Sequence, residues 1–226
     1  MFGVYLHIPF CSSKCDYCAF ATWTDRHHLI DAYLAALRRE IGRAVEGGMP
    51  FADTIFVGGG TPTLVPPDDL ADVIGSIPRS PDAEVTVECN PDDVDVAMLR
   101  SFVDGGVNRV SVGVQSMSAH VLTALGRTHD RDNVARSVEA IRDVGVPTFT
   151  LGRIYGAAGG SMVDWQDTVA GALALGPPHV SADGLTVAAG TPLAAQPDRH
   201  PDDDDQADKY EFVDEQLIAA GLANYE

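Results

Sequence analysis

Along the chain, short runs rich in β-branched residues alternate with longer runs in which apolar residues recur every three or four positions. The short runs are 3–8 (GVYLHI), 53–57 (DTIFV), 84–89 (EVTVEC), 108–114 (NRVSVGV), 147–152 (PTFTLG) and 179–185 (HVSADGL); their length and composition predict strands. In 29–46, Ile30, Leu34, Leu37, Ile41 and Val45 mark one face of an amphipathic helix. Similar patterns predict helices over roughly 67–77, 94–104, 118–125, 131–144, 162–175 and 205–220. Strands that are nearly all followed by a helix read as repeated βα units, so the predicted class is α/β with a parallel sheet. Six units are too few for a closed eight-fold barrel. The expected fold is therefore an open partial (βα)6 barrel of the TIM type, with a doubly wound sheet as the alternative. In both, ligands bind where strands end and loops begin. Cys11 to Cys18, GGGTPT at 58–63, ECNP at 88–91 and GVQSM at 113–117 all fall at such ends, which predicts one shared site.

Composition narrows the class. The 226 residues, 45% hydrophobic and 21% charged, suit one large domain over 1–226. No apolar run is long enough to span a membrane. The start, MFGVYLHIPFC, has no basic n-region and carries His7 inside its apolar stretch, so it reads as a strand and not as an export signal. A net charge of -18, with lysine only at Lys14 and Lys209, argues against nucleic acid and anionic membranes as partners. The acidic run PDDDDQAD at 201–208 reads as a solvated helix entrance; calcium is the weaker alternative, because EF-hand spacing is missing. Four cysteines without an export signal point to the reducing cytoplasm and to metal rather than disulfides.

Cys11, Cys15 and Cys18 form C-x3-C-x2-C on the loop after the first strand. A structural zinc site takes four protein ligands, and this loop supplies three. His7 is a candidate fourth, but it sits in the strand ahead of the rigid Pro9. Three cysteines on a four-iron cubane leave one iron free for the amino and carboxylate groups of a small molecule. In EVTVEC the alternation puts Val85, Val87 and Cys89 on one face and Thr86 and Glu88 on the other. If Glu88 faces the site, Cys89 faces the helices as a small buried residue. His27, His28, His120, His129, His179 and His200 show no ligand spacing, and surface or capping roles are expected for them.

The cysteine motif, with an aromatic before its last cysteine, resembles that of radical S-adenosylmethionine (SAM) enzymes. The order YLHIPFC, VGGGTPTL, ECNP, RVSVGVQS, LGRTHD and IYG resembles the branch that holds oxygen-independent coproporphyrinogen III oxidase and the heme chaperones. The similarity runs from residue 3 to the final YE and covers the family's core portion, without its C-terminal region. It implies a [4Fe–4S] cluster on Cys11, Cys15 and Cys18 that donates an electron to SAM, giving methionine and a 5′-deoxyadenosyl radical. It also implies an electron donor such as flavodoxin or ferredoxin, with heme or a porphyrinogen as further ligand. By the same resemblance Gly59, Gly60 and Thr61 approach the methionine ammonium, which Glu88 also meets. Gln115 bonds the ribose, Arg127 takes the methionine carboxylate, and Tyr17 covers the adenine; Tyr5 shares the inward strand face with His7.

The chain departs from that pattern in places. The branch reads Asp-Leu-Ile-Tyr-Gly on its fifth strand, where the Asp holds the SAM ribose; here Gly152 stands in its place. The turn that follows is AAG, 157–159, and the sixth strand reads SAD instead of Ser-Ala-Tyr. Arg153 and Asp183 are expected either to form a buried pair or to lie exposed at strand ends. Phe20 stands where the oxidases carry a further cysteine, which favours the chaperone side. Three readings follow: a SAM-binding core of a heme-chaperone-like protein, a radical decarboxylase, and a metal-stabilised module with degenerate SAM contacts.

Overall fold

A computed structural model describes residues 1–225. Its strands are β1 (Gly3–Ile8), β2 (Ala52–Gly59), β3 (Arg79–Cys89), β4 (Arg109–Gln115), β5 (Thr148–Tyr155) and β6 (His179–Gly184). The α-helices are α1 (Ile30–Glu46), α2 (Pro67–Gly75), α3 (Val96–Asp104), α4 (Ala119–Ala124), α5 (Arg131–Val144), α6 (Met162–Ala174) and α7 (Asp203–Ala219). All strand pairs are parallel and the sheet order is β1-β2-β3-β4-β5-β6. That order decides between the two predicted architectures. A doubly wound sheet reverses its strand order at a switch point, whereas sequential right-handed crossovers put every helix on one face. The fold is the open partial barrel.

Local chemistry sets the element ends. Asp95 accepts the Met98 N–H at 2.8 Å to cap α3, and Asp130 with Asn133 closes a capping box on α5. Gly145, with φ +78°, ends α5 in the left-handed conformation glycine adopts freely. The acidic run opens α7, where Asp202 accepts the Asp205 N–H. Its three following aspartates lie in the first turn, where the helix dipole favours them.

The helix-facing side of the sheet is the core: Leu6, Ile8, Ile55, Val57, Val85, Val87, Val110, Val112 and Leu151 pack against Leu34, Leu70, Leu99, Phe102, Val138 and Ile141. Cys89 belongs to this layer, as expected, and burial pushes its thiol pKa well up. The opposite face carries Glu88, Ser111, Gly113, Gly152, Ser181 and Asp183, which line a cavity. Among the described residues no helix is long and apolar enough to cross a membrane.

Register overturns the expected Arg153–Asp183 pair. Asp183 aligns with Ile154 and Arg153 with Ala182. Side chains alternate across a strand, so the two charges point to opposite sides of the sheet. Arg153 is 0% exposed, and none of its three guanidinium nitrogens meets a hydrogen-bond acceptor among the described residues. The other near-fully buried cation, Lys209, is satisfied: its Nζ donates to the Gly160 carbonyl at 2.7 Å and to Asp205 at 2.6 Å.

Candidate metal and cofactor site

A cavity of about 470 Å3 opens at the C-terminal ends of the strands. Ten of the eleven predicted site residues line it: Cys11, Cys15, Tyr17, Cys18, Gly59, Gly60, Thr61, Glu88, Gln115 and Arg127. The exception is Tyr5. It lies on the predicted strand face, but its hydroxyl meets His7 Nδ1 at 3.0 Å, its ring stacks near Phe56, and it is 54% exposed. Its part is behind the wall, because His7 Nε2 in turn bonds the Ala21 carbonyl and braces the end of the cysteine segment.

The cysteine loop is held from several sides. Cys11 N–H donates to the Trp23 carbonyl at 3.1 Å and Trp23 N–H to Pro9 at 2.8 Å. His27 Nε2 meets the Cys11 carbonyl at 2.8 Å. From far along the chain, Leu193 N–H donates to the Asp16 carbonyl at 3.0 Å, and Arg199 reaches Asp16 Oδ2 at 2.8 Å and the Ala124 carbonyl at 2.6 Å.

Glycines make room for this loop against β2. A Cβ on Gly60 would lie 2.5 Å from the Phe10 carbonyl, 2.8 Å from that of Ile8 and 3.0 Å from Cys11 Sγ. One on Gly58 would collide with Glu88 Oε2 at 2.5 Å. Gly59 adopts φ +111°, and its N–H donates to Glu88 Oε2 at 3.2 Å. Gly60 and Thr61 N–H groups donate to Ile8 and Phe10 at 2.7 Å each. Those three N–H groups are therefore already engaged within the protein. Burial holds the Glu88 carboxyl above its usual pKa, partly opposed by the Gly59 N–H.

Gln115 reaches the cavity through a break in β4. Its φ of +61° is left-handed, singular among the described non-glycine residues, and the register shifts between Gly113 and Gln115. A bulge at a site edge re-aims a side chain in this way. Arg127 follows α4 and Gly126; its Nη2 donates to Asn90 Oδ1 at 2.7 Å and the Gly113 carbonyl at 3.0 Å, and its Nη1 lies 4.0 Å from Cys15 Sγ. Tyr17 divides its ring between the cavity and a small apolar cluster of Val121, Leu125, Ala157, Leu185 and Leu193. Burial first, and then the Cys15 sulfur, raise its hydroxyl pKa.

Besides the His27 and Arg199 braces, sequence reasoning missed two contributors nearer the strand ends. Asn90 orients Arg127 and also donates to Asp93 at 3.2 Å; its signal was its place in ECNP beside Glu88. His129, expected at the surface or a cap, is buried, with Nε2 2.7 Å from the Val114 carbonyl. There it supports the strand end that carries Gln115, a role no local spacing announces.

The donor set fits an iron–sulfur cubane. The cysteines are free thiols on one cavity wall. The cysteine loop supplies three of them to that wall, one short of the four protein ligands a structural zinc takes. A cubane binds each thiolate through a different iron, so its ligands stand apart. The Gly60 cradle against Cys11 keeps the adjacent wall close without filling it.

Comparison with known proteins gives the same assignment. The family model of the radical SAM superfamily matches residues 5–170. The chain is 40% identical to the heme chaperone HemW of Mycobacterium tuberculosis (strain H37Rv), over all of this chain and 61% of that protein. It is 34% identical to HemW of Bacillus subtilis (strain 168), over 100% of this chain and 62% of that one. The chain thus spans about three fifths of the length of these relatives. Among solved structures, coproporphyrinogen III oxidase (HemN) from Escherichia coli, described as a radical SAM enzyme, matches with a TM-score of 0.86 at 25% identity, over 97% of this chain and 53% of that one. With its thiol triad, its glycine cradle and a family match over most of its length, this chain belongs to the radical SAM superfamily.

Proposed function

We propose that this chain is the cluster- and SAM-binding core of a heme-chaperone-like protein that acts in heme trafficking in the cytoplasm. The observation that carries the reading is the convergence of Cys11, Cys15 and Cys18 with Gly60, Glu88 and Arg127 on one cavity at the strand ends. Cys11, Cys15 and Cys18 hold the [4Fe–4S] cluster and leave one iron open for SAM. When bound, the pair supplies one-electron reductive cleavage of SAM, with a flavodoxin or ferredoxin as electron source. Glu88 and the carbonyls of Gly59 to Thr61 take the ammonium of the methionine moiety. Arg127, held by Asn90, faces its carboxylate. Tyr17 covers the adenine, and Gln115 bonds the ribose.

Phe20 supports the carrier over the radical decarboxylase. It is exposed on the cavity wall at the position where the oxidases carry a further cysteine. Anaerobic reconstitution, with iron and sulfide analysis and assays of SAM cleavage, porphyrinogen decarboxylation and heme binding, tests the proposal. A cubane with heme uptake and no decarboxylation is expected. Zinc uptake without a cubane would overturn it, and decarboxylation would select the enzyme.

A further inference from the structure

Four carboxylates line the cavity, and three are tied to the protein on the cysteine side. Glu88 accepts the Gly59 N–H, Asp92 accepts the Thr128 hydroxyl at 2.8 Å, and Asp93 accepts the Thr63 hydroxyl at 2.7 Å. The fourth, Asp183, is at the end of β6, which strand order puts at the opposite edge of the sheet from β1 and its cysteine loop, and so forms the far wall. Its Oδ2 accepts the hydroxyl of Ser181, two residues back on the same strand face, at 2.8 Å. No cationic side chain ion-pairs with it among the described residues.

Ser181 is the register partner of Gly152, and Gly152 that of Gly113. Three neighbouring strands thus contribute a row of small residues facing the cavity. A Cβ on Gly152 would meet Ser181 Oγ at 3.5 Å and the Val112 carbonyl at 3.7 Å, ordinary contacts. The fold does not need glycine there; its effect is to leave floor space below a carboxylate that one serine has already oriented.

We propose that Asp183, held by Ser181, accepts the vicinal diol of a nucleoside ligand lying over Gly152, which is the ribose of SAM. This rests on reading the cavity as the SAM site. With the methionine moiety at the cysteine end, the donors left for the far wall are the ribose hydroxyls and the adenine amine. The adenine amine is flanked by ring nitrogens whose lone pairs repel a carboxylate. A diol presents two adjacent O–H donors, the pattern a carboxylate with free lone pairs accepts.

The test measures binding of SAM, of its 2′-deoxy analogue and of free methionine to cluster-loaded protein. Asp183→Ala is expected to weaken SAM about tenfold, as for loss of a charged hydrogen bond, and to leave methionine unchanged. The unaltered protein should prefer SAM to the 2′-deoxy analogue, and Asp183→Ala should lose that preference. Gly152→Asp placed in the Asp183→Ala background should restore SAM affinity by returning a carboxylate to the same patch. Equal SAM affinity with and without Asp183, or equal losses for SAM and methionine, overturns the assignment. A cluster-loaded parent protein that binds no SAM overturns the function proposed above instead, so the two failures are distinct.

Discussion

At the scale of single residues, the buried guanidinium of Arg153 is the largest local conflict in the fold. An unpaired buried charge costs several kcal/mol, and burial alone lowers the pKa of Arg153 to about 10. Arg153→Leu should therefore stabilise the protein by about 2 kcal/mol or more in urea unfolding. With its folded pKa at about 10, Arg153 becomes appreciably less protonated than in the unfolded state only as the pH climbs past 9. The gain should thus be flat from pH 6 to 9, within the range where both states are fully charged. No gain would mean that the guanidinium has found an acceptor. Glu88 is perturbed in the opposite chemical sense: its raised pKa marks an ionised form that folding disfavours. That cost is absent below the ordinary carboxyl range and complete above the raised pKa. Glu88→Gln should accordingly be more stable than the parent at pH 7, with the advantage vanishing as the pH falls below 4.5, the unperturbed value. In SAM binding the same shift predicts that affinity falls on acidification at a pH above 4.5, because only the carboxylate attracts an ammonium. A pH-independent affinity between pH 4 and 7 would remove Glu88 from that role.

At the scale of elements, the loop after β2 and the floor of β5 make contrasting predictions for the same substitution. Gly60→Ala drives a methyl into two backbone carbonyls and Cys11 Sγ, a strain of about 1–3 kcal/mol, and should lower iron incorporation on reconstitution. Gly152→Ala meets only ordinary contacts and should load iron like the parent; similar loading by both variants would discard the cradle. The strands and helices were legible because each crossover pairs a β-rich run with a 3.6-residue periodicity, and the observed ends differ from the predicted ones by a few residues at most, except at β3. That strand begins at Arg79, ahead of the predicted 84, because RSPD carries no alternation and is recruited by pairing with Ala52. The convergence of ten predicted positions on one cavity was legible because loop motifs at parallel-strand ends are brought together by topology. What stayed hidden depends on register. Whether Arg153 and Asp183 share a face is settled by which residue of β6 lies beside Ile154, and a strand sequence does not state its partner's offset. Likewise the Asp16–Arg199 contact joins segments 183 positions apart, with nothing local in either to announce the other.

At the scale of the whole molecule, charge and burial combine. The chain carries 33 acidic residues against 15 Lys and Arg, and two of those cations, Arg153 and Lys209, are buried. The surface is therefore more negative than the sequence count suggests, and self-repulsion destabilises a compact state. Not every acid takes part: Asp203, Asp204 and Asp205 sit in the first turn of α7, where the helix dipole offsets them. The remaining repulsion acts between exposed groups, which salt screens as the Debye length shrinks from about 10 Å at 0.1 M to about 3 Å at 1 M. Potassium chloride from 0.05 to 0.5 M should raise the Tm, by about 2–4 °C for each kcal/mol of repulsion relieved. Chloride is the informative salt, because sulfate stabilises through exclusion from the surface whatever the charge. Neutralising exposed aspartates outside helix starts, such as Asp143→Asn in the last turn of α5, should raise the Tm at low salt and lose that effect at 0.5 M. Asp203→Asn should give no such rise, because it removes a favourable dipole contact together with the repulsion. A Tm that stays flat or falls in chloride would mean that the exposed cations already neutralise their surroundings locally, and that the net charge has no hold on stability.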